Sequence, residues 1–439
     1  MAESTETGSS SEGSGSTTGP SPSTTETTAS TSSSASSSSS SESEDTSSES
    51  DSSGGAAACV DALVLDETFE IDPEGVTTQI QASVLYDPIA DGVWVVYNLP
   101  ADDGSGTFDV HVARLHCDGS LQVAPRRINT TTDRNDIDGE LARVGDDLLA
   151  VWASDDGVSP VGNIQILAMG LDPDGNPTLP ADVVLQTSWQ GEPLTGSAWL
   201  PHLRADDEGF VLVGTRGIES AFQMFVQRLD ADAGLVGDAL APPIEPGVGH
   251  DTVDLAVLDN GDLAVAWAGT DDTDLAQVRH AIVVDDAFVP DPPALLLDDD
   301  ASSPAVARDP TGAGAYIAVS VEDGGGRAIR IARAEPGDDT TPVLLGDGLS
   351  FSPSLATGPT GAGVAWYRNI SGIRNALWVA RLVDDGDTLT ATAAQAIPDA
   401  EAAPYASTIT HVVDDVYFVA WSQGTSPDLR LYGRFVDLR

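Results

Sequence analysis

The residues best placed to contact a ligand lie in long polar segments that fall outside a recurring strand pattern. Trp189 and Trp199 flank the longest of these segments. An exposed indole ring beside acidic groups can stack on a sugar ring, and carboxylates and guanidinium groups can hydrogen-bond its hydroxyls. The alternative for the two tryptophans is that they cap the junction between two repeats. We predict a ligand-binding set at Trp189, Trp199, Arg134, Asp155, Asp156, His250, Asp271, Asp272 and Arg368.

The residue types that could catalyse a reaction form no recognisable catalytic set. The absence of lysine excludes a Schiff-base lysine, a Ser–Lys dyad and a P-loop. The six histidines are scattered, and none forms a zinc-binding pair on a predicted helix. We therefore predict no catalytic residue, although carboxylates at the mouth of a channel leave a glycan-active hydrolase or lyase open.

Acidic turns are the only metal-binding candidates. Asp172–Asn176 and Asp102–Gly104 carry oxygen ligands of the kind that Ca²⁺ prefers, but neither continues to a distal bidentate glutamate. Asp-Gly is also an ordinary hairpin turn. We expect no cofactor, and Ca²⁺ binding stays open.

The charge of the chain restricts its partners. It contains 70 acidic and 19 basic residues, for a net charge of −51. Such a charge disfavours nucleic acid and anionic membranes as direct partners. A glycan or protein ligand is compatible with it, and we expect a monomer.

Residues 1–56 differ from the rest of the chain because they are rich in Ser, Thr and acids and have no aromatic residue. Such a segment cannot bury enough apolar surface to fold, so we predict a disordered linker. Residues 57–439 form the predicted folded domain. No signal peptide precedes the linker, and we expect that the targeting segment is absent from this chain.

The elements that must position the candidate residues are short strands repeated along residues 57–439. Each unit has an anchor strand such as Leu263–Trp267, in which large and small residues alternate, so one face is large and the other small. A large face fits the small face of the next sheet. The anchor strands end at Tyr97, Trp152, Gly214, Trp267, Ser320, Trp366 and Trp421.

Four strands per unit and hairpin turns between them predict four-stranded antiparallel sheets. The last unit has only three strands, and a spare strand at Ala62–Phe69 precedes the first unit. Donating this strand to the last unit would close a ring. The predicted fold is therefore an all-β, seven-bladed β-propeller, in preference to a solenoid or a pair of sandwiches.

Two further predictions follow from this ring. Cys59 and Cys117 would meet at the outer rim and form a disulfide that staples the closure. An arginine near the end of the third strand recurs in five units, and we expect it to pair with an acidic turn rather than to bind an anion. The five are Arg114, Arg228, Arg333, Arg381 and Arg434.

Residues 59–439 together with the linker resemble the secreted seven-bladed propellers found as surface lipoproteins in myxobacteria-like predatory bacteria. The resemblance implies a fold and an extracytoplasmic, secreted or surface-anchored location, and it carries no catalytic residue. The leading hypothesis is a binding or scaffold module with its ligand on the loop face. A hydrolase or lyase and a structural spacer or assembly protein are the alternatives.

Overall fold

Short antiparallel strands dominate the computed structural model, as the repeat predicts. The chain divides into two units, Met1–Gly55 and Ala56–Arg439, and the described strands belong to the second. The structure describes residues 58–74, 81–101, 104–155, 164–185, 188–189, 192–193, 197–218, 221–242, 250, 252–270, 276–297, 301–311, 314–334, 341–369, 375–400, 405–425 and 428–439.

The first half of the domain contains a 3₁₀ turn at Cys59–Ala62 and fifteen described strands. They are β1 (Thr68–Glu70), β2 (Ala82–Asp87), β3 (Gly92–Pro100), β4 (Phe108–Leu115), β5 (Leu121–Arg127), β6 (Asn135–Val144), β7 (Asp147–Asp155), β8 (Ile164–Leu171), β9 (Val183–Val184), β10 (Ser188–Trp189), β11 (Glu192–Pro193), β12 (Ala198–Ala205), β13 (Phe210–Ile218), β14 (Ala221–Leu229) and β15 (Leu235–Leu240).

The second half of the domain continues in the same manner within the described residues. Its strands are β16 (Thr252–Val257), β17 (Leu263–Thr270), β18 (Ala276–Val284), β19 (Ala287–Leu297), β20 (Ser302–Arg308), β21 (Ala315–Asp323), β22 (Gly326–Ala334), β23 (Val343–Gly358), β24 (Gly361–Asn369), β25 (Asn375–Asp384), β26 (Leu389–Ala391), β27 (Gln395–Ala396), β28 (Tyr405–Val413), β29 (Val416–Thr425) and β30 (Asp428–Asp437).

These strands form seven four-stranded antiparallel blades in the described part of the chain. Blades 1 to 4 are β2–β5, β6–β9, β12–β15 and β16–β19. The long strand β23 serves twice: its first part pairs with β22 to complete blade 5, and its second part pairs with β24 to begin blade 6. In blade 7, β1 pairs with β30, so the N-terminal strand completes the last blade as predicted.

Alternation of large and small residues explains how neighbouring blades stack. Leu263, Val265 and Trp267 of blade 4 pack against valines of blade 3, including Val211. The small opposite face, with Ala264 and Ala266, packs against aliphatic residues of blade 5. The five tryptophan and tyrosine anchors are fully buried, and burial of this size stabilises each blade interface by about 3–5 kcal/mol relative to alanine.

The two blades without an aromatic anchor fill the space differently. A Cβ atom at Gly214 would lie 3.1 Å from the ring of Phe225, which occupies the volume from the neighbouring strand. In blade 5, the Ser320 hydroxyl donates to the carbonyl of Ser350 at 3.0 Å and accepts from Arg327 Nε at 3.1 Å. Both solutions keep the interface filled.

Cys59 and Cys117 form a disulfide, which confirms the sequence prediction. Such bonds are typical of proteins that fold outside the reducing cytoplasm. In the part of the chain that the structure describes, no helix is long and apolar enough to cross a membrane.

Candidate functional site

The innermost strands of all seven blades enclose one central cavity of about 750 Å³. It is lined by segments of β2, β6, β12, β16, β20, β23 and β28. Because side chains alternate along a strand, every second residue of each inner strand faces this cavity. Its wall has two chemically different sides.

One side of the wall is a cluster of four charged residues on blades 2 to 4, which we call the charged arc: Glu140, His202, Arg204 and Asp254. Arg204 bridges the two carboxylates, with NH1 3.1 Å from Glu140 Oε2 and NH2 3.0 Å from Asp254 Oδ1. His202 Nδ1 lies 3.3 Å from Glu140 Oε1. Asp254 is further fixed because its Oδ2 accepts the backbone N–H of Val306 in blade 5 at 2.8 Å.

The arc controls the protonation of its members. Burial alone would raise the pKa of Glu140, but the hydrogen bond from His202 and the charge of Arg204 lower it overall. Burial alone would lower the pKa of His202, but its bond to Glu140 and the charges of Asp254 and Glu140 raise it. The arc therefore favours an ionised carboxylate beside an imidazolium.

Asp138 lies next to the arc and differs from it. Burial and the nearby charge of Glu140 raise its pKa to about 6, against a lowering effect of His202, and no hydrogen bond from a described residue contributes. Asp138 faces the cavity and carries a carboxyl group with acceptor capacity to spare. It is the group in the wall most open to a ligand.

Backbone bulges place Asp138 and its counterparts at the start of the inner strands. The register shifts between Ile137 and Glu140 in blade 2, and similar shifts occur in blades 3, 5 and 6. Asp138 adopts a φ of 57° there, which aspartate tolerates better than most residues. The residues with positive φ at the equivalent bulges are Leu200, Ser303 and Ser352.

The opposite side of the wall carries hydroxyl groups. We call it the hydroxyl wall: Ser303, Ser352, Ser354, Thr408 and Thr410. Tyr367 adds a phenol that also lines the cavity, and its ring stacks on Phe351 with 5.5 Å between centroids. The cavity therefore offers mainly hydroxyl groups on blades 5 to 7, where Arg308 and His411 also line it, and the charged arc on blades 2 to 4.

Among the described residues, no member of the predicted ligand-binding set lines the cavity. Arg134 is half-buried, with NH1 3.3 Å from Gln165 Oε1, and Asp155 ends β7 opposite Asn135. Arg368 places its guanidinium over the Trp378 ring at 5.6 Å. Asp156, Asp271 and Asp272 lie outside the described residues.

Two of the predicted aromatic or imidazole ligands are placed in packing positions. His250 is 4% exposed, its Nδ1 accepts the backbone N–H of Met224 at 2.9 Å, and burial together with the charge of Arg279 lowers its pKa to about 4. Trp199 is partly buried at the start of β12, and its Nε1 is enclosed. Trp189 belongs to the short hairpin of β10 and β11, and its side chain lies outside the described residues.

The recurring rim arginines pair as the sequence predicts. Arg228 bonds Asp206 of its own blade, and Arg333 of blade 5 bonds Asp384 of blade 6. Arg381 NH1 lies 2.8 Å from Asp415 Oδ2 of blade 7. Arg114 instead donates to the carbonyl of Pro173 at 2.6 Å, and Arg434 donates to Asp66 at 3.1 Å.

The sequence did contain a signal for the charged arc. His202 and Arg204 alternate within Pro201–Ala205, a strand expected to line the channel, so both must face the same side. Charged residues at two consecutive inward positions of an inner strand indicate a site rather than packing.

No protein-family model and no curated protein matches the sequence. Among solved structures, the chain is similar to a protein of unknown function from Dyadobacter fermentans, with 13% identity, a TM-score of 0.48, and coverage of 71% of this chain and 97% of that one. It is also similar to a sialidase of Trypanosoma rangeli in complex with sialic acid, with 11% identity and a TM-score of 0.42. That similarity covers 84% of this chain and 56% of the sialidase.

A Hadza microbial sialidase is similar at 12% identity and a TM-score of 0.43, with coverage of 79% of this chain and 76% of that one. These similarities concern the fold of those proteins.

Proposed function

We propose that this chain is an extracytoplasmic binding propeller that takes a neutral, polyhydroxylated glycan in its central cavity. The observation that carries the proposal is the cavity wall, which combines the Asp138 carboxyl and the charged arc with the hydroxyl wall. Sugar hydroxyls both donate and accept hydrogen bonds, so they suit a wall that offers both. The charged arc has its charges paired internally, which disfavours a strongly charged ligand.

The location is part of the same proposal. The linker of residues 1–56 would hold the domain of residues 57–439 away from a cell surface, as in the surface lipoproteins that the sequence resembles. The disulfide supports an oxidising compartment. The strongly acidic charge of the chain would keep such a domain off anionic lipid.

Binding of the full chain to a glycan array, followed by calorimetry on the best ligand, tests the proposal. Asp138→Asn and His202→Gln should each weaken binding at least tenfold, because each removes a group from the cavity wall. Asn keeps the positive φ accessible at position 138. Asp232→Asn, in the exposed β14–β15 turn, is the matched control and should bind as the parent does. Failure to bind any glycan, or equal binding by all variants, would count against the proposal.

A second function is favoured by one observation: Asp138 and Glu140 face one cavity from adjacent inward positions, and their pKa values move in opposite directions. Such a pair can divide the roles of acid and base in glycoside hydrolysis. A sensitive assay for new reducing ends, run on each glycan that binds, separates the two functions. Turnover by the parent chain that Asp138→Asn abolishes would establish the hydrolase.

A further inference from the structure

A second polar cluster lies away from the cavity, buried between blades 1 and 2 under the connection from β5 to β6. It contains Asn98, Asp109, Asn129, Asp136 and Ser154, each no more than 3% exposed. These residues come from β3, β4, β6, β7 and the connection itself. A buried polar group normally has a full set of partners, and this cluster departs from that rule in three ways.

The first departure concerns the Asn129 amide. Its Nδ2 lies 2.8 Å from Asp109 Oδ1, 2.7 Å from Asp136 Oδ2 and 2.6 Å from the carbonyl oxygen of Thr131. An amide nitrogen carries two protons and can satisfy two acceptors. Three oxygens therefore surround the Asn129 Nδ2 atom, whose two protons can satisfy only two of them. The amide cannot simply be reversed, because its Oδ1 accepts the backbone N–H of Val110 at 3.1 Å.

The second departure is a set of buried oxygens with incomplete hydrogen bonding. Asp136 Oδ1 and Ser154 Oγ have no partner except each other, in a loose contact, and the side-chain amide oxygen of Asn98 has none among the described residues. Asp136 and Ser154 are direct cross-strand partners and so lie on one face. Asn98 shares a face of β3 with Val96, which approaches the Gly139 position of β6, so Asn98 also points towards blade 2.

The third departure is charge. Asp109 and Asp136 are two buried carboxylates, and the nearest cation in the described residues is Arg127, whose NH1 is 3.5 Å from Asp109 Oδ2 and whose side chain is 43% exposed. Within those residues this partly exposed cation pairs with Asp109 alone, and burying the second carboxylate, Asp136, without an ion pair is costly. The cluster thus combines unsatisfied oxygens with a shortage of positive charge.

We propose that this cluster binds one calcium ion, with Asp109, Asp136, Ser154, Asn98 and the Thr131 carbonyl as the oxygen ligands. The ion would displace the Asn129 amino group from between its three oxygens. All the ligand atoms are oxygens, which excludes a typical zinc site. The mixture of carboxylate, amide, hydroxyl and carbonyl in a site with little room for water suits Ca²⁺ better than Mg²⁺, which retains several waters.

The consequence of this site would be a fixed loop. The connection from β5 to β6 carries Thr131 and, three residues later, Arg134 of the predicted ligand-binding set. An ion bound to the Thr131 carbonyl and to residues of blades 1 and 2 would pin this connection to both blades. No group of three or more His, Cys, Asp or Glu side chains in the described residues is arranged to hold a metal, so neutral oxygens must supply the remaining ligands.

Calorimetric titration of the chelator-treated full chain with Ca²⁺ tests the proposal, with Mg²⁺ at equal concentration as the control for the acidic surface. We expect one saturable Ca²⁺ per chain and a rise in Tm of about 3 °C at saturating Ca²⁺. Asp136→Asn and Asp109→Asn should each remove the saturable Ca²⁺ and the rise in Tm. Asp172→Asn, in the exposed turn that the sequence offers as an alternative Ca²⁺ ligand, should change neither.

Three results would overturn the proposal. One is the absence of a saturable Ca²⁺ in the parent chain, which would indicate that buried water and a proton satisfy the cluster. The second is an equal response to Mg²⁺, which would indicate surface screening. The third is a saturable ion that Asp172→Asn removes and Asp136→Asn does not. Limited proteolysis of the 128–134 connection, slowed by Ca²⁺ in the parent but not in Asp136→Asn, provides a readout if a variant is poorly stable.

Discussion

The outer rim and the central cavity both pair arginine with carboxylates, but they do so with different consequences. At the rim, the arginine recurs in five blades and bonds a turn or a neighbouring strand each time. In the cavity, Arg143 bonds Asp87 and Arg308 bonds Asp259, but among the described lining arginines Arg204 alone connects carboxylates of two other blades. Arginine–carboxylate pairs that recur from blade to blade stabilise the fold, whereas an arrangement that occurs once is a candidate site.

Substitutions in the rim pairs should therefore lower the stability of the fold. The side chain of Asp384 is fully buried and accepts bonds from Arg333, from the Tyr316 hydroxyl at 2.9 Å and from the Gly386 N–H at 2.8 Å. Asp384→Ala removes the closer of two carboxylates from the buried Arg333 charge and leaves Asp309 Oδ2 at 3.6 Å, and we expect a loss of about 3 kcal/mol in the free energy of unfolding. Urea denaturation measures it.

Asp385→Ala is the matched control, because Asp385 is the next residue and only caps an exposed turn through Thr388. We expect a much smaller loss of stability than in Asp384→Ala, because the Asp385 carboxylate is exposed to solvent. Below the unfolding transition, neither variant should change glycan binding. Loss of binding without loss of stability in Asp384→Ala would show that the rim pairs have a functional role and would break the comparison.

The disulfide gives the next largest effect on the rim. Its cysteines are 58 residues apart in sequence, and removing a bond across such a loop costs about 2–4 kcal/mol. Cys59→Ser combined with Cys117→Ser should lower the midpoint of denaturant unfolding without changing ligand affinity. Dithiothreitol should lower the midpoint of the parent chain equally and that of the variant not at all. A midpoint that does not change in the variant would contradict a stapling role.

The sequence was sufficient for the repeat but not for the cavity. Alternating residues in Leu263–Trp267 and the fixed spacing of the anchors report packing at every blade, so the sheets and the closing strand could be predicted. The complete arc could not, although His202 and Arg204 alternate along one strand, because the position of Glu140 depends on the bulge between Ile137 and Glu140, which shifts the inward face by one residue. His250 shows the converse: a loop position suggests exposure, but Trp267 and the Met224 backbone bury it.

Substitution of Asp138 in the cavity should raise the stability of the fold, whereas the rim substitutions should lower it. The pKa of Asp138 is raised from 3.8 to about 6, so the folded state binds more protons than the unfolded state between these values. Its stabilising contribution is complete below pH 3.8 and is lost as the pH rises through about 6. Asp138→Asn should therefore increase stability by about 1–2 kcal/mol at pH 8 and by little at pH 4.

The same variant should lose ligand binding, which is the expected trade between stability and function. Asp232→Asn, on an exposed turn, should change stability by less than about 0.5 kcal/mol at both pH values. The free energy of unfolding of the parent, Asp138→Asn and Asp232→Asn, measured against pH, tests this prediction. A destabilising Asp138→Asn at pH 8 would place Asp138 with the rim residues, as part of the scaffold.

The smallest effect should come from His202, and it tests whether the arc holds an imidazolium. Burial would lower its pKa, but the Glu140 bond and the charges of Asp254 and Glu140 outweigh both burial and Arg204 and raise it above 6.5. Protonated His202 therefore stabilises the fold fully below pH 6.5, and this contribution disappears as the pH rises through the folded-state pKa.

His202→Gln should cost about 0.5–1 kcal/mol more at pH 6 than at pH 9. His250→Gln is a control of opposite sign, because burial lowers the folded-state pKa of His250 from 6.5 to about 4, so its replacement should cost less stability at pH 6 than at pH 9. Equal pH dependence in the two variants would mean that Glu140 does not hold His202 as a cation, and the arc would then be a packing feature like the rim.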